Sequence, residues 1–598
     1  MTQTPDPTTP AEPAVTEEAA PEGPVDPTAS TDETPTDEVP TDEAPADEAP
    51  TDGSPTDESS AEGEAASAET AVPPRDPIAA AVAPGYAFEG AALELGGLMV
   101  GPDALTDVHI KIPLGMVNRH GLVAGATGTG KTKTLQLLAE QLCANGVPVF
   151  AADIKGDLSG LSTPGEESEK ITQRAASVGQ QWQATGFPVE YYALGGQGAG
   201  IPLRVTMSAF GPMLLSKVLD LNDTQESSLG LIFHYADKAG LPLLDLQDLR
   251  AVVAYLTSEE GKADLKSLGG LSSATAGVIL RQLIAFSGQG ADAFFGEPEF
   301  ETSDFLQTTP DGKGLISLVE LPNLQDRPAL FSTFLMWLLA DLFHELPEVG
   351  DVDQPKLVFF FDEAHLLFRD ASKAFLDQIA QTVRLIRSKG VGVFFVTQSP
   401  TDVPDDVLAQ LGSRVQHALR AHTPNDAKAL KATVNTYPNS AYDDLGKVIT
   451  GLGIGEAVIT VMDERGAPTP VAWTRLRAPE SLMGPADAAA MEATVKASPR
   501  YAAYATPVDR DSAREKLAAR LEEGARKAEE DAKLKEQLRQ EKLEKAEERK
   551  TQTKSTTSSG KKDDGGIVSD VVNSGAFKDF MRTAAREIAR GMFGSGRR

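Results

Sequence analysis

Residues 120–158 read HGLVAGATGTGKTKTLQLLAEQLCANGVPVFAADIKGDL. This stretch contains an apolar run, a glycine-rich turn, a longer segment and a second apolar run, in that order. In the longer segment Leu135, Leu138 and Leu142 recur at helical spacing, and Gly146 is a residue type that commonly ends a helix. The pattern predicts a strand, a helix and a second strand, and two strands connected in this way lie parallel in one sheet.

The glycine-rich turn, GATGTGKT, matches the phosphate-binding pattern G-x-x-x-x-G-K-[ST] between a predicted strand and a predicted helix. Glycines let backbone N–H groups curl around phosphate oxygens, and the helix N-terminus adds positive potential. A chance glycine-rich turn is the alternative, but it does not account for this spacing in this context. We predict that Lys131 contacts the β- and γ-phosphates of ATP and that Thr132 is a ligand of Mg²⁺. The predicted nucleotide-binding residues are Gly125, Ala126, Thr127, Gly128, Thr129, Gly130, Lys131, Thr132 and Lys133.

The second element of the predicted site is LVFFFDEAH, residues 357–365, in which an apolar strand ends at two adjacent carboxylates. In a parallel α/β sheet, ligands bind at the carboxyl ends of the strands. We predict that Asp362 holds Mg²⁺ together with Thr132, and that Glu363 orients and deprotonates the attacking water. Adjacent carboxylates after a strand are also common on protein surfaces, so this interpretation depends on the upstream phosphate-binding pattern.

Three further polar residues follow predicted strands and are expected at the same sheet edge. Gln398, at the end of GVGVFFVTQ, is predicted to be catalytic by sensing the γ-phosphate or the attacking water, and strand capping is the alternative. Asp153 and Lys155, in ADIKGD, contact the metal shell or couple nucleotide state to chain motion in one interpretation. In the other interpretation they only form a turn.

Phosphoryl transfer usually needs a further cation on the developing charge, often one from a neighbouring subunit. Arg414, in LGSRVQHALRAHTP, is the first candidate for this catalytic role, followed by Arg420 and Arg387. The alternative for each of them is a surface arginine or one that is paired with a carboxylate.

The predicted fold class is α/β, with a mostly parallel sheet in a domain over residues 119–478. A short β-rich section precedes it at residues 73–118. Between Asp157 and Lys313 the pattern is mainly helical, which predicts a helical insertion at about residues 208–300. Continuous apolar strands are typical of a sheet covered by helices on both faces. The strand candidates after the insertion are GLISLVEL, KLVFFFDEA, GVGVFFVTQ, SRVQHALRA and GEAVITVMD.

The N-terminal segment is strongly acidic. The 598-residue chain has a formal net charge of −33, and residues 1–72 contain 20 acidic side chains and no basic one, which leaves −13 for the rest. This Pro/Thr-rich tail lacks the apolar residues that a folded core requires, so we predict that it is disordered. A solvating spacer is the simplest interpretation, and a nucleic-acid mimic or an autoinhibitory arm is the functional alternative.

The C-terminal segment divides by composition into three parts. Residues 479–550 are predicted to form a charged helical extension, residues 551–566 a flexible linker and residues 567–598 a basic amphipathic helix. That last helix either contacts a membrane surface or nucleic acid, or docks onto its own core or a partner subunit.

The single cysteine, Cys143, excludes an intramolecular disulfide and fits a reducing compartment. No apolar run reaches the roughly 18 residues that span a bilayer. We therefore expect a cytoplasmic protein without an integral membrane segment.

Together, GATGTGKT, ADIKGD, FFFDEAH, FFVTQSP and SRVQHALRAHTPNDAKAL resemble the HerA-like helicase C-terminal family of the HerA and FtsK superfamily. The resemblance covers roughly residues 85–477. The phrase ELPNLQDRPALFSTFLMWLLADLF resembles a bacterial branch whose members are mostly uncharacterised. The resemblance implies a RecA-like P-loop ATPase that forms a homo-hexameric ring, with ATP between subunits and DNA in the central pore. HerA proper carries a sizeable β-barrel before this domain, whereas only the short 73–118 section stands there in this chain, so partners bound through such a barrel are not implied.

The function predicted from these features is an ATP-hydrolysing, ring-forming DNA translocase or helicase. An ATP-driven motor or scaffold for protein partners, related to secretion ATPases and recruited through the tails, is the alternative. A third alternative, a nucleotide-gated switch with little turnover, is disfavoured by Glu363. The acidic net charge opposes DNA binding unless lysines and arginines concentrate at the pore.

Overall fold

The computed structural model describes residues 76–555 except 268–269, 322–327, 370–372 and 439. The predicted tail at residues 1–72 and the predicted helix at residues 567–598 lie outside the described residues. The strands are β1 (Ala92–Val100), β2 (Asp103–Pro113), β3 (Gly121–Ala124), β4 (Val149–Asp153), β5 (Val189–Leu194), β6 (Ile201–Leu203), β7 (Ile316–Glu320), β8 (Leu357–Phe361), β9 (Val391–Thr397), β10 (Ser413–Gln416), β11 (Glu456–Thr460) and β12 (Ala472–Leu476). They form one sheet in the order β2-β1-β12-β11-β10-β3-β9-β8-β4-β7-β5-β6.

The part of this sheet from β10 to β6 is parallel throughout. Its central strands β3, β4, β8 and β9 are buried at every residue, as continuous apolar runs require. Aromatic rings pack between them, and the centroids of Phe150 and Phe359 are 4.9 Å apart. Because all of these strands run in one direction, their carboxyl ends form a single edge of the sheet.

The α-helices cover the faces of the sheet and extend the chain beyond it. Their bounds in the described residues are α1 (Pro77–Val82), α2 (Lys131–Ala144), α3 (Glu169–Ser177), α4 (Met207–Val218), α5 (Asp223–Lys238), α6 (Leu246–Thr257), α7 (Lys262–Ser267), α8 (Ser273–Gly288), α9 (Pro328–Glu345), α10 (His365–Phe368), α11 (Lys373–Ile386), α12 (Asp405–Leu408), α13 (Pro424–Asn435), α14 (Leu445–Gly451), α15 (Ala488–Ala497), α16 (Pro499–Tyr504) and α17 (Ala513–Ser555). Helix α2 connects β3 to β4, and α4 to α8 lie between β6 and β7.

The segment between Asp157 and Lys313 contains two strands in addition to its helices, so its interpretation as mainly helical missed part of the sheet. β5 pairs with β7, and β6 pairs with β5 at the end of the sheet. β5 is six residues long and β6 only three, and all nine are buried. Runs this short and buried on both faces show no alternation, so periodicity could not identify them.

The residues before the phosphate-binding loop extend the same sheet on its antiparallel side. β10, β11, β12, β1 and β2 pair antiparallel in succession. The two strands of the 73–118 section therefore join the sheet through β12, which is contributed by the far end of the domain.

Helix α17 leaves the body of the protein after its first turns. Its Ala513 N–H donates to the Pro242 carbonyl at 2.8 Å, and the Arg520 side chain donates to the Ala239 carbonyl at 2.9 Å. From residue 521 to residue 548 every side chain is exposed. Ion pairs four residues apart, such as Glu529 with Lys533 at 2.8 Å, run along this exposed part.

Among the residues that the structure describes, no helix combines the length and the hydropathy needed to cross a bilayer.

Candidate active site

The loop after β3 is shaped by three glycines in backbone conformations that other residues rarely adopt. The φ angles are 154° at Gly125, 80° at Gly128 and 114° at Gly130. Gly130 is the N-cap of α2, so the first N–H groups of that helix, which have no partner within it, point out of its N-terminus. Thr127 and Gly128 are exposed at the tip of the loop. The loop therefore offers an open cradle of N–H groups to an anion.

The amino-terminal end of the loop is held by residues at the carboxyl ends of the neighbouring strands β9 and β10. The Gly125 N–H donates to the Thr397 carbonyl at 3.2 Å, and the Ala126 N–H donates to the Ala418 carbonyl at 2.8 Å. The Lys131 ammonium donates to the Gly125 carbonyl at 2.7 Å, so the side chain lies against the backbone of the loop. Burial lowers the pKa of Lys131, and the charges of Glu363 and Asp362 oppose that shift.

The next two residues occupy the first turn of α2. Thr132 is half-buried there. The Lys133 ammonium donates to the Gln136 side chain at 3.2 Å, and burial lowers the pKa of Lys133. Lys133 thus packs along its own helix while its backbone remains part of the cradle.

The two adjacent carboxylates lie at the tip of β8, on the same sheet edge as the loop. Asp362 is buried, its Oδ1 accepts the Glu363 N–H at 2.9 Å, and burial raises the pKa of Asp362 to about 6. Glu363 has a φ of 49°, which turns the chain sharply as it leaves the strand. Glu363 raises the pKa of Lys131 and Lys131 lowers the pKa of Glu363, so the two motifs share one electrostatic environment.

Asp153 and Lys155, both after β4, have different roles in the structure. The Asp153 carboxylate accepts the N–H groups of Lys155, Gly156 and Leu158 at 3.1, 2.7 and 2.7 Å, so this carboxylate forms the turn. The Lys155 ammonium contacts Glu363 and lies 4.0 Å from Asp362 Oδ2. Burial acts to lower the pKa of Lys155, but the neighbouring carboxylates raise it overall.

A cavity of about 630 Å³ opens beside the loop and contains the predicted Gln398. Its lining includes Ala126 and Thr127 of the loop, Gln398 directly after β9, and His365. The His365 Nδ1 lies 3.1 Å from Glu363 Oε2, although His365 was not among the predicted site residues. The only signal in the sequence was its position two residues after Glu363.

The three candidate arginines lie at different places. Arg420 lines the cavity, together with Arg369. The Arg414 side chain donates to the hydroxyl of Thr436 at 2.7 Å and does not line the cavity. Arg387 precedes β9 and therefore lies at the opposite, amino-terminal edge of the sheet. The structure thus brings Arg420 next to the loop within one chain.

His417, directly after β10, is a site residue that the sequence analysis did not identify. It is fully buried, and its Nε2 lies 2.9 Å from the Thr134 hydroxyl on α2. A Cβ added at Gly125 would lie only 2.5 Å from the His417 Cβ, so His417 packs directly against the loop. Burial lowers the pKa of His417 to about 4, which keeps the ring neutral beside the phosphate site.

The residues at this edge fit a magnesium nucleotide. Asp362 Oδ2 is buried and has no hydrogen-bond partner in the described part of the chain, so it is available to a cation. Carboxylate and hydroxyl oxygens are ligands that Mg²⁺ prefers, and Thr132 supplies the hydroxyl in the first turn of α2. The glycine cradle and Lys131 match the negative charge of a triphosphate.

The chain is similar to a known protein family. The sequence model of the family described as helicase HerA-like C-terminal matches residues 100–598. The DNA double-strand break repair helicase HerA of Sulfolobus acidocaldarius is 20% identical over 369 residues, which cover 61% of this chain and 66% of that protein. This chain therefore matches slightly less than two thirds of that relative's length.

Two solved structures are similar in part. Plasmid coupling protein TrwB in complex with a non-hydrolysable ATP analogue is 17% identical, with a TM-score of 0.45, and the match covers 67% of this chain and 98% of that one. VirB4 of Thermoanaerobacter pseudethanolicus is 15% identical, with a TM-score of 0.41, and the match covers 65% and 98%. The α/β fold with a mostly parallel sheet, predicted above, is confirmed.

Proposed function

The chain belongs to the helicase HerA-like C-terminal family, and from that premise we propose that it is an ATP-hydrolysing motor that forms a ring and moves DNA. The activity of a P-loop ATPase, which is the general part of this proposal, follows from the family and from the phosphate-binding loop. The proposal places the protein in the cytoplasm, where ATP and DNA are both present.

The observation that supports hydrolysis is the position of Lys131, after β3, and of Asp362 and Glu363, after β8, at one edge of the sheet. In the proposed reaction the loop N–H groups and Lys131 would hold the phosphates, and Thr132 and Asp362 would hold Mg²⁺. The metal, when bound, neutralises charge on the phosphate oxygens. Gln398 orients the attacking water from the neighbouring strand, and Glu363 accepts its proton as the water oxygen bonds to the γ-phosphorus and the bond to the bridging oxygen of ADP breaks.

DNA is the proposed substrate because the curated relative is named as a DNA repair helicase. A ring accommodates the acidic net charge of −33 if a few cations face the pore, since only those near phosphates contribute to binding. A homo-hexameric ring would also let a neighbouring subunit supply a cation to the open cavity beside the loop.

The test is the rate of ATP hydrolysis with and without single- and double-stranded DNA, together with the particle mass in ATP. We expect DNA to stimulate hydrolysis and ATP to favour a ring. Glu363→Gln should lower the rate at least about 100-fold, because a positioned base contributes that much or more. Glu464→Gln, at an exposed glutamate, is the matched control. A rate that DNA leaves unchanged at every salt concentration would remove DNA from the proposal.

A motor or scaffold for protein partners is the second candidate. It is favoured by α17, a charged helix whose side chains from residue 521 to residue 548 are all exposed. Such a helix suits an arm that carries a recruitment segment away from the ATPase body. Deleting residues 1–72 and 563–598 should then abolish recovery of a partner while hydrolysis continues, and unchanged recovery would contradict this candidate.

A further inference from the structure

The loop between α14 and β11, residues 453–455, carries an exposed apolar side chain beside the phosphate-binding loop. Ile454 is 75% exposed, more than any other large apolar side chain that the structure describes. A single exposed isoleucine is ordinary on a protein surface. Two further observations single out Ile454: its position beside the phosphate-binding loop, and the hydrogen bonds that hold its backbone.

The backbone of this loop is fixed to the phosphate-binding loop. The Gly455 N–H donates to the Thr129 carbonyl at 3.0 Å. A Cβ added at Gly130 would lie 3.4 Å from the Gly455 nitrogen, so the two loops are in contact at the N-terminus of α2. Ile454 is therefore the sequence neighbour of a residue, Gly455, that contacts the proposed phosphate cradle.

Arg174, a half-buried residue of α3, holds the other side of the loop. The Arg174 guanidinium donates to the Ile454 carbonyl at 2.8 Å and to the Gly455 carbonyl at 3.0 Å. The Gly453 N–H donates to the Glu456 carboxylate at 3.0 Å. With both flanks held in this way, the backbone that presents the Ile454 side chain is fixed, which lowers the entropy cost of a ligand contact there.

The order of the strands determines which end of a nucleotide meets this loop. The catalytic Glu363 follows β8, which lies two strands from β3 on one side. Residues 453–455 lead into β11, which lies two strands from β3 on the other side. A triphosphate whose γ-phosphate points toward Glu363 directs its nucleoside away from β8, and thus toward Ile454.

We infer that Ile454 is a ligand-binding residue that packs against the nucleoside base. The ligand class is a nucleoside di- or triphosphate whose base offers a flat apolar face, as adenine does. The loop contributes apolar contact through one side chain, while the phosphate cradle supplies the electrostatic part of the affinity. This inference rests on the proposed ATPase site, but it requires neither DNA nor ring formation.

The test compares two ligands that share the phosphate end. Calorimetry with Mg²⁺ gives the Kd of ADP and the Kd of inorganic tripolyphosphate for the full chain. Ile454→Ser should weaken ADP about tenfold, as expected when a buried aliphatic contact is lost, and leave tripolyphosphate within about twofold. Ile454→Leu should retain the ADP affinity. Ile284→Ser, at a 52% exposed isoleucine of α8, is the matched control.

An equal loss for ADP and tripolyphosphate would show that the variant disturbs the phosphate loop, and would overturn the inference. Unchanged ADP affinity would overturn it as well, and if the particle mass changed at the same time, Ile454 would be a contact between subunits. These outcomes are independent of DNA-stimulated hydrolysis, so a failure of the DNA proposal remains distinguishable from a failure of this one.

Discussion

Lys155, in the turn after β4, contacts the carboxylate of Glu363, in the turn after the adjacent strand β8. Burial acts to raise the pKa of Glu363, but the hydrogen bond and the charge of Lys155 hold it below its ordinary value. The proposed catalytic base is therefore kept ionised by a cation from the neighbouring strand.

Lys155→Met should raise the pKa of Glu363, because burial then acts without the opposing charge. The acid limb of the pH profile of kcat should move to higher pH, so hydrolysis should fall more at pH 6 than at pH 8. The measurement is the rate of ATP hydrolysis across that range. Lys313→Met is the control, since the Lys313 ammonium pairs with Asp311 at 3.3 Å before β7, at the other sheet edge. An acid limb that stays in place would contradict the role given to Lys155.

Arg420→Ala should lower kcat more than Arg414→Ala. Arg420 lines the cavity beside the phosphate-binding loop, whereas the Arg414 side chain is bonded to Thr436. A cation near the developing charge contributes a large factor to phosphoryl transfer, so we expect a loss of at least about tenfold for Arg420→Ala. Single-turnover hydrolysis of both variants provides the comparison. An equal or greater loss in Arg414→Ala would instead support the original prediction that Arg414 acts on a neighbouring site.

Gly125→Ala should weaken nucleotide binding and destabilise the protein by about 1–3 kcal/mol. The added Cβ would lie 2.5 Å from the His417 Cβ, and the φ of 154° is unfavourable for alanine. Thermal unfolding and the Kd of ADP are the measurements. Gly524→Ala is the matched control, because nothing lies within 4 Å of a Cβ there and alanine favours the helix by up to about 1 kcal/mol. A Gly125→Ala variant with wild-type thermal stability and wild-type ADP affinity would contradict the close packing of His417 against the loop.

The stability that His417 provides should depend on pH. Burial lowers the pKa of His417 from 6.5 to about 4. Between these two pH values the unfolded chain therefore binds a proton at this histidine and the folded chain does not. The resulting contribution of His417 to the free energy of unfolding is fully present above pH 6.5 and declines as the pH falls toward 4. It amounts to at most about 3 kcal/mol. Buried glutamates act in the opposite direction, since burial raises the pKa of Glu140 to about 7.

The prediction is therefore a difference between variants, in which these other groups cancel. The gap in unfolding free energy between the wild type and His417→Gln should narrow as the pH falls from 6.5 to 4, measured by denaturant unfolding. His422→Gln, at an exposed histidine, should follow the wild type at every pH. A gap that stays constant over this range would mean that His417 is not kept neutral by burial.

The sequence alone was sufficient for the strand, loop and helix around Lys131 and for the strand tip that carries Asp362 and Glu363. These features depend on local rules, namely glycine spacing, apolar runs and helical periodicity, which act over a few residues. The parallel direction of the central strands also followed, because a helical crossover permits little else. Residues that follow such strands then had to share one edge.

Only the tertiary structure decided which distant residues complete the site. His417 meets Thr134 across 283 positions of sequence, and Arg174 meets Gly455 across 281. The tertiary structure also places Arg420 in the lining of the cavity and Arg414, six residues earlier in the chain, outside it. It shows β5 and β6 within a segment predicted as mainly helical. Contacts of this kind depend on how strands are ordered in the sheet and how side chains pack between them. No local pattern encodes that order, because it results from burying all the apolar faces at once.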